Sequence, residues 1–307
     1  MKIHLDTDLG GDIDDLGALA LLLAHPDVEI TGITTVADEA GRRCGYVKYA
    51  LALAGRADVS VAAGADVSRG CFRYRPGYPN EADYWPEPIA PSPNSLAEAL
   101  ALLAQSIESG ATVVGIGPYT NLALLDRAWP GLLATAPLYL MGFHVHPAPA
   151  GFPRWDVDTD YNVQMDVAAA RHLLVAHAPT LTPLELTAQT GLRRAYLPGL
   201  RQAGPLSALL ARQAEFFARD EHNEETYGQT CPGLPDDTIN FLHDPLACAV
   251  ALGWDGVRFG TIPLRPELNA AGDLRAVIAR DGTPTRVGVD IDGDAFSDWW
   301  YRTLTHS

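Results

Sequence analysis

Residues 2–36 read KIHLDTDLGGDIDDLGALALLLAHPDVEITGITTV. Residues 2–5 have the look of a short strand. Residues 28–36 are β-branched and apolar, which is the composition of a buried strand. Between them, residues 14–24 form an apolar helical stretch with acids in its first turn, where the helix dipole favours them, and Pro26 ends it. The same alternation continues outward. Helices are expected over 43–53, 95–108, 166–176, 206–219 and about 238–251, with another from about Asn121. Strands are expected over 59–63, 112–116 and 138–141, and short strands and turns over 257–291. Long irregular stretches fall at 69–93, 142–161 and 220–237, and function is often carried on such loops. Alternating strands and helices predict an α/β fold with a mostly parallel, Rossmann-like sheet covered by helices on both faces. No repeat or linker divides the chain, so residues 1–307 are expected to form one domain.

The connection between the first strand and the first helix is the chemically loaded part. Asp6, Asp8, Asp12, Asp14 and Asp15 put five carboxylates into ten residues. In open α/β sheets, ligands bind at the carboxyl ends of the strands, which is where this loop lies. Anions so close repel one another, and a divalent cation with oxygen ligands is the simplest way to offset that. Gly10 and Gly11 allow the loop to turn tightly and aim several acids inward. An acidic helix cap with solvated neighbours is the plainer alternative, but capping does not need acids at both Asp6 and Asp8. A strand followed by DxD also suits haloacid dehalogenase-type phosphatases. In those the first acid is a nucleophile, but the later part of this chain fits that pattern poorly.

Composition narrows the partners. Lys+Arg number 22 against 38 Asp+Glu, a net charge of −16, so a nucleic-acid polymer is not an expected partner. The four cysteines, at 44, 71, 231 and 248, form no CxxC pair and fit a reducing cytoplasm rather than a zinc or disulfide framework. The longest apolar run, 16–24, is too short to span a bilayer, so no membrane partner is expected.

Several separate motifs resemble one family. DTDLGGDIDD with its apolar helix and ITTV strand is similar to the DxDPGxDD opening of the inosine/uridine-type nucleoside hydrolases. Gly115-Ile116-Gly117-Pro118-Tyr119-Thr120-Asn121-Leu122-Ala123 is similar to a second segment of that family. Tyr161-Asn162 with Asp166 and Ala168-Ala169-Ala170, and then His243-Asp244-Pro245, agree in order and spacing along almost the whole chain. The resemblance implies a calcium-dependent N-ribohydrolase that takes a small ribonucleoside in purine or pyrimidine salvage. A homo-oligomer, dimer or tetramer, is expected with it.

Carried over residue by residue, the resemblance makes Asp8 both a cation ligand and the base that takes a proton from the attacking water. Asp15, Asp244 and the carbonyl of Ile116 would complete the ligand set. Asp14 would bind the ribose 2′-hydroxyl and Asn162 the ribose hydroxyls. Met141 would line the sugar pocket, Asp160 would lie at the 5′ side, and His243 would lie near the leaving base. Where the family carries Asn after ITTV, this chain has Glu39 with Asp38 beside it. Where the family has the Glu of EFN, it has Asp160, and the loop 142–160 is longer. The opening loop is two residues longer, which leaves the part played by Asp12 open.

From the residues alone, His243 either donates a proton to the leaving base or packs beside Asp244. Trp155 and Tyr227 lie in loops that could cover a base ring by stacking, or they pack as ordinary aromatics. His144, His146 and His222 have no spacing that forces a site. Thr120 and Asn121 are expected to cap their helix, and residues 236–238 to cap the helix that presents His243 and Asp244. The departures at Glu39, Asp160 and the long loop also leave room for a ribonucleoside-binding protein without turnover.

Overall fold

The structure is a computed structural model and describes residues 1–66 and 81–306. Residues 69–80 of the expected irregular stretch 69–93, with Cys71 among them, therefore fall outside the described residues, and the rest holds the short helix Glu81–Tyr84. Strands run as β1 (Lys2–Thr7), β2 (Glu29–Thr35), β3 (Val61–Ala63), β4 (Thr112–Gly115), β5 (Leu138–Met141) and β6 (Thr180–Thr182). They continue as β7 (Gly191–Arg193), β8 (Thr238–Phe241), β9 (Val257–Leu268), β10 (Leu274–Ile278) and β11 (Thr283–Ile291). Helices are α1 (Asp14–Ala24), α2 (Arg42–Leu53), α3 (Glu81–Tyr84), α4 (Leu96–Glu108), α5 (Thr120–Ala128) and α6 (Tyr161–Met165). The rest are α7 (Val167–His177), α8 (Leu184–Thr187), α9 (Leu197–Gln202), α10 (Pro205–Glu221), α11 (His243–Ala251) and α12 (Gly293–Thr305).

Nine strands share one sheet in the order β10-β9-β11-β6-β5-β4-β1-β2-β3. From β3 to β11 every pair is parallel, and at the far edge β9 alone runs the other way, pairing antiparallel with β11 on one side and β10 on the other. The order 3-2-1-4-5-6 within it reverses direction between β1 and β4, and this is the crevice where such sheets bind ligands. Crossovers of one hand that leave β1 in opposite directions put their helices on opposite faces. Accordingly one apolar cluster gathers α1, α2, α10, α11 and α12, and another gathers α4, α5 and α7.

Local rules account for most elements. α4 starts with a capping box, Ser95 accepting from Glu98 N–H while the Glu98 carboxylate accepts from Ser95 N–H. β1 is covered on both faces, so His4 is fully buried and is served by Ser106 at 2.9 Å and Thr34 at 3.0 Å. Gly10 has φ +113°, and a Cβ there would lie 2.5 Å from Tyr46 Cδ2, in the ring that stacks on Trp85. The acidic loop therefore passes the α2 face closer than a side chain allows.

Three expectations change. The helix expected from residue 238 starts at His243, because Thr238–Phe241 alternates as a strand and pairs antiparallel with β7. Residues 236–238 therefore do not cap it. Asp237 instead accepts from Arg193 Nε at 2.8 Å and from Ala195 N–H at 3.0 Å. The C-terminal strands are also longer than expected, with twelve residues in β9, and α12 follows them with Trp300 buried against Gly17 of α1.

Candidate active site

The site is built from the carboxyl ends of β1, β4 and β5 and the N-termini of α1, α6 and α11. Asp6 is the last inward acid of β1 and is fully buried. Its Oδ1 accepts from Thr34 Oγ1 and from Asn121 Nδ2, the latter at 2.8 Å. Burial pushes its carboxyl up to about 7. Asp6 does not line the cleft, so the phosphatase reading has no nucleophile there. Asn121 likewise is no helix cap. It ties β1, β2 and the turn after β3 together through Asp6, the Thr35 carbonyl at 2.8 Å and Ala65 N–H at 2.8 Å.

Beyond Asp6 the chain opens into a cleft of about 600 Å³. Asp8, Asp14, Asp15, Ile116, Met141, Asp160, Asn162, Trp155, Tyr227, His243 and Asp244 all line it. Asp14 and Asp15 enter from the first turn of α1 and Asp244 from the first turn of α11. One carboxylate oxygen from each of these three lies within 4.8 Å of the others, in a buried setting. Asp15 accepts from Thr7 Oγ1, and Asp14 accepts from Asp244 N–H at 3.2 Å. Asp8 stands beside this trio against the β4 loop, where a Cβ on Gly117 would come within 2.8 Å of Asp8 Oδ1. That close approach needs glycine at 117 and sets the Ile116 backbone next to Asp8. Asn162 Nδ2 donates to the Ile116 carbonyl at 2.9 Å and to the Met141 carbonyl at 3.2 Å. A carbonyl oxygen has two lone pairs, so Ile116 retains one for a second partner.

The electrostatics are unfavourable without a cation. Burial first, and then neighbouring carboxylates, push Asp14, Asp15 and Asp244 well above the usual carboxylate range. Burial also raises Asp8, opposed by the Arg43 guanidinium. An all-oxygen set of clustered, buried carboxylates fits a hard divalent cation. Burial raises Asp160 to about 7, and its Oδ2 has no hydrogen-bond partner while Oδ1 accepts from Val163 N–H at 3.1 Å.

These shifts predict a pH effect. A carboxyl raised in the folded state contributes stability at low pH and loses it as pH climbs through the folded value. His4 and His243, both pulled down by desolvation to about 3 from 6.5, act with the opposite sign only below about pH 6.5. Between about pH 6.5 and 8 the carboxyls therefore dominate. In chelator, Tm is expected to fall across that window, and an added divalent cation is expected to raise Tm more at the upper end. Cation-induced shifts of equal size at both ends would contradict this.

Of the two readings for His243, the geometry supports packing. The ring is half-buried and neutral, with Nδ1 2.7 Å from Thr187 Oγ1, and it stacks on Phe241 with centroids 5.4 Å apart. Thr187 donates its hydroxyl hydrogen to the Leu184 carbonyl at 3.2 Å, so Nδ1–H donates to Thr187 and Nε2 is left an acceptor. Trp155 and Tyr227 form an aromatic wall beside it, the indole N–H donating to Tyr227 OH at 3.0 Å.

Glu39 is the one candidate the fold leaves outside the cleft. It is exposed on the turn Glu39–Gly41, and Asp38 takes the inward place, accepting from Arg43 N–H at 2.8 Å and Cys44 N–H at 2.9 Å. His144, His146 and His222 also lie outside the cleft lining. Arg43 was missed by the motif reading. Its buried guanidinium donates to the Asp8 carbonyl and, at 3.0 Å, to the Ala37 carbonyl, and stands 4.0 Å from Asp8 Oδ2. A cation in the first turn of a helix opposes the dipole, and that is the sequence signal for a specific acidic partner nearby. Asp12, whose part was open, accepts from Asn240 Nδ2 at 2.7 Å at the rim.

Residues 3–298 match the family model of the inosine-uridine preferring nucleoside hydrolases. The chain belongs to that family. Nucleoside hydrolases are N-glycosyl hydrolases that split ribonucleosides into ribose and free base. A pyrimidine-specific ribonucleoside hydrolase of Salmonella arizonae is 30% identical over 264 residues, covering 82% of this chain and 78% of that one. Its counterpart in Salmonella agona is 29% identical over 271 residues, 84% of each chain. A purine-preferring ribonucleoside hydrolase from Gardnerella vaginalis shares the fold with a TM-score of 0.80 at 22% identity, covering 100% of this chain and 98% of that one. Among the described residues of this nucleoside hydrolase, no helix is long and apolar enough to cross a membrane.

Proposed function

We propose that this nucleoside hydrolase works with calcium held by Asp8, Asp15, Asp244 and the Ile116 carbonyl. The observation that carries the reading is their arrival in one cleft from positions 8, 15, 116 and 244, beside Asp14 and Asn162. Bound calcium supplies flexible oxygen coordination for a water and a vicinal diol, with weak Lewis acidity. Asp8 takes the proton from the attacking water, helped by the Arg43 contacts that fix its backbone. Asp14 accepts from the ribose 2′-hydroxyl, and Asn162 orients the sugar from the floor of the cleft. The carboxylates around the ring stabilise the positive charge that grows on the ribose as the N-glycosidic bond lengthens.

Asp160, with its unpartnered Oδ2, receives the 5′-hydroxyl, and Met141 lines the sugar pocket. Trp155 and Tyr227 bracket the base, and His243 offers it a neutral acceptor nitrogen. The working unit is residues 1–307 as one domain, in a cytoplasmic dimer or tetramer serving salvage. The three described cysteines are free, as a reducing compartment requires.

The test is base release from a ribonucleoside panel and the 2′-deoxy forms, before and after chelation. A site built on the diol should reject the deoxy forms by roughly 10⁴-fold, and chelation should stop turnover until calcium returns. Equal turnover of deoxy substrates, or turnover that survives chelation, would overturn the reading. Tight ribonucleoside binding with no base release would favour a binding protein instead.

A further inference from the structure

A second group of metal-type ligands lies outside the cleft lining. Helices α5 and α7 pack side by side, and Thr120 Oγ1 donates to Asp166 Oδ2 at 2.7 Å where both begin, at the carboxyl ends of the strands. Both therefore run back toward the amino ends of the strands, and along them Asp126 of α5 meets His172 and His177 of α7. Asp126 Oδ2 is 2.8 Å from His172 Nε2 and 3.1 Å from His177 Nε2. One ligand atom from each of the three falls within 4.8 Å of the others.

An ion pair does not account for this geometry. The His177 side chain is only 5% exposed, yet neither ring nitrogen has a hydrogen-bond partner, Nε2 standing near Asp126 at an angle that closes none. A buried imidazole with two unserved nitrogens costs free energy. A cation placed between the three donors would satisfy Nε2 of His177 and share Asp126 between the rings. A tetrahedral shell with metal bonds of about 2.0–2.2 Å has ligand spacings of roughly 3.3–3.6 Å, so the rings at 2.8 and 3.1 Å from Asp126 need only move apart by about half an ångström to seat an ion. Two imidazoles and one carboxylate form a borderline donor set, suited to zinc and its transition-metal neighbours and unlike the all-oxygen cleft. His172, with 42% of its side chain exposed, leaves the fourth position open to water.

We propose that Asp126, His172 and His177 form a surface site for a zinc-type divalent ion that pins the end of α5 to the end of α7. The site is independent of the cleft and needs no substrate.

The test is zinc binding to the full chain in excess calcium, which keeps the acidic cleft filled, read by equilibrium dialysis with elemental analysis. One zinc per chain is expected, with cobalt giving the visible bands of a tetrahedral site and zinc raising Tm. Outer-shell changes at metal sites already cost roughly 10- to 100-fold in affinity, so losing a ligand in His177→Ala or Asp126→Asn should weaken zinc at least about 100-fold. His172→Ala serves as the more exposed second variant if His177→Ala does not fold. Wild-type zinc binding no stronger than that of His172→Ala would overturn the proposal. Base release is not the readout, so failure here would leave the hydrolase reading standing.

Discussion

Asp15→Ala is expected to fold and to lose stoichiometric calcium, and turnover with it. Asp15 is buried among like charges, so its carboxylate is a liability in the ion-free protein and an asset only when a cation is present. Removing it relieves repulsion with Asp8 and Asp14 while it deletes a ligand. Two measurements should therefore diverge. In chelator, the variant should be no less stable than wild type beyond the loss of the Thr7 hydrogen bond to the carboxylate, worth about 1.5–3 kcal/mol. With calcium at about 100 times Kd, wild type should gain roughly 2.7 kcal/mol and the variant almost nothing. Asp15→Asn retains an acceptor for Thr7 and separates the two contributions. Calcium retained one-to-one by Asp15→Ala would reject this ligand assignment.

Asp8→Ala is expected to remove turnover by a different route. Asp8 sits between the trio of Asp14, Asp15 and Asp244 and the β4 loop, and its backbone is held by Arg43. A positioned general base contributes about 10²- to 10⁴-fold, and here the same group also helps hold the ion, so kcat should fall by at least about 10³-fold. Substrate affinity should suffer less, because Asp14, Asn162 and Asp160 remain. The check is kcat and KM for the best ribonucleoside at saturating calcium. Turnover near the wild-type value would reject Asp8 as the base.

The parallel sheet was legible because strand and helix periodicities alternate cleanly from residue 2 to residue 177. The acidic loop was legible because five carboxylates in ten residues have no bland explanation at a strand end. Inward or outward direction was not legible within that loop. Asp6 and Asp8 share a strand-like alternation, yet Asp6 turns into the sheet to meet Thr34 and Asn121, contacts 28 and 115 residues away. The same limit misplaced Glu39. A one-residue change of phase in the turn after β2, with Ala37 and Ala40 at positive φ, turns Asp38 inward and Glu39 out. β8 was read as helix because its partner, β7, lies almost 50 residues earlier, and no local pattern announces such a pairing. Arg43 was the most informative omission, a buried cation whose meaning depends on an acid 35 residues upstream.

The account depends on one cation shared by Asp8, Asp15, Asp244 and the Ile116 carbonyl while it grips a sugar diol. A crystal structure with calcium and ribose, read by anomalous scattering, tests that directly. The expected result is one calcium peak about 2.3–2.6 Å from oxygens of all four residues, with the ribose 2′- and 3′-hydroxyls completing its shell. A cleft with ribose bound and no calcium peak, or a peak held by other residues, would contradict it.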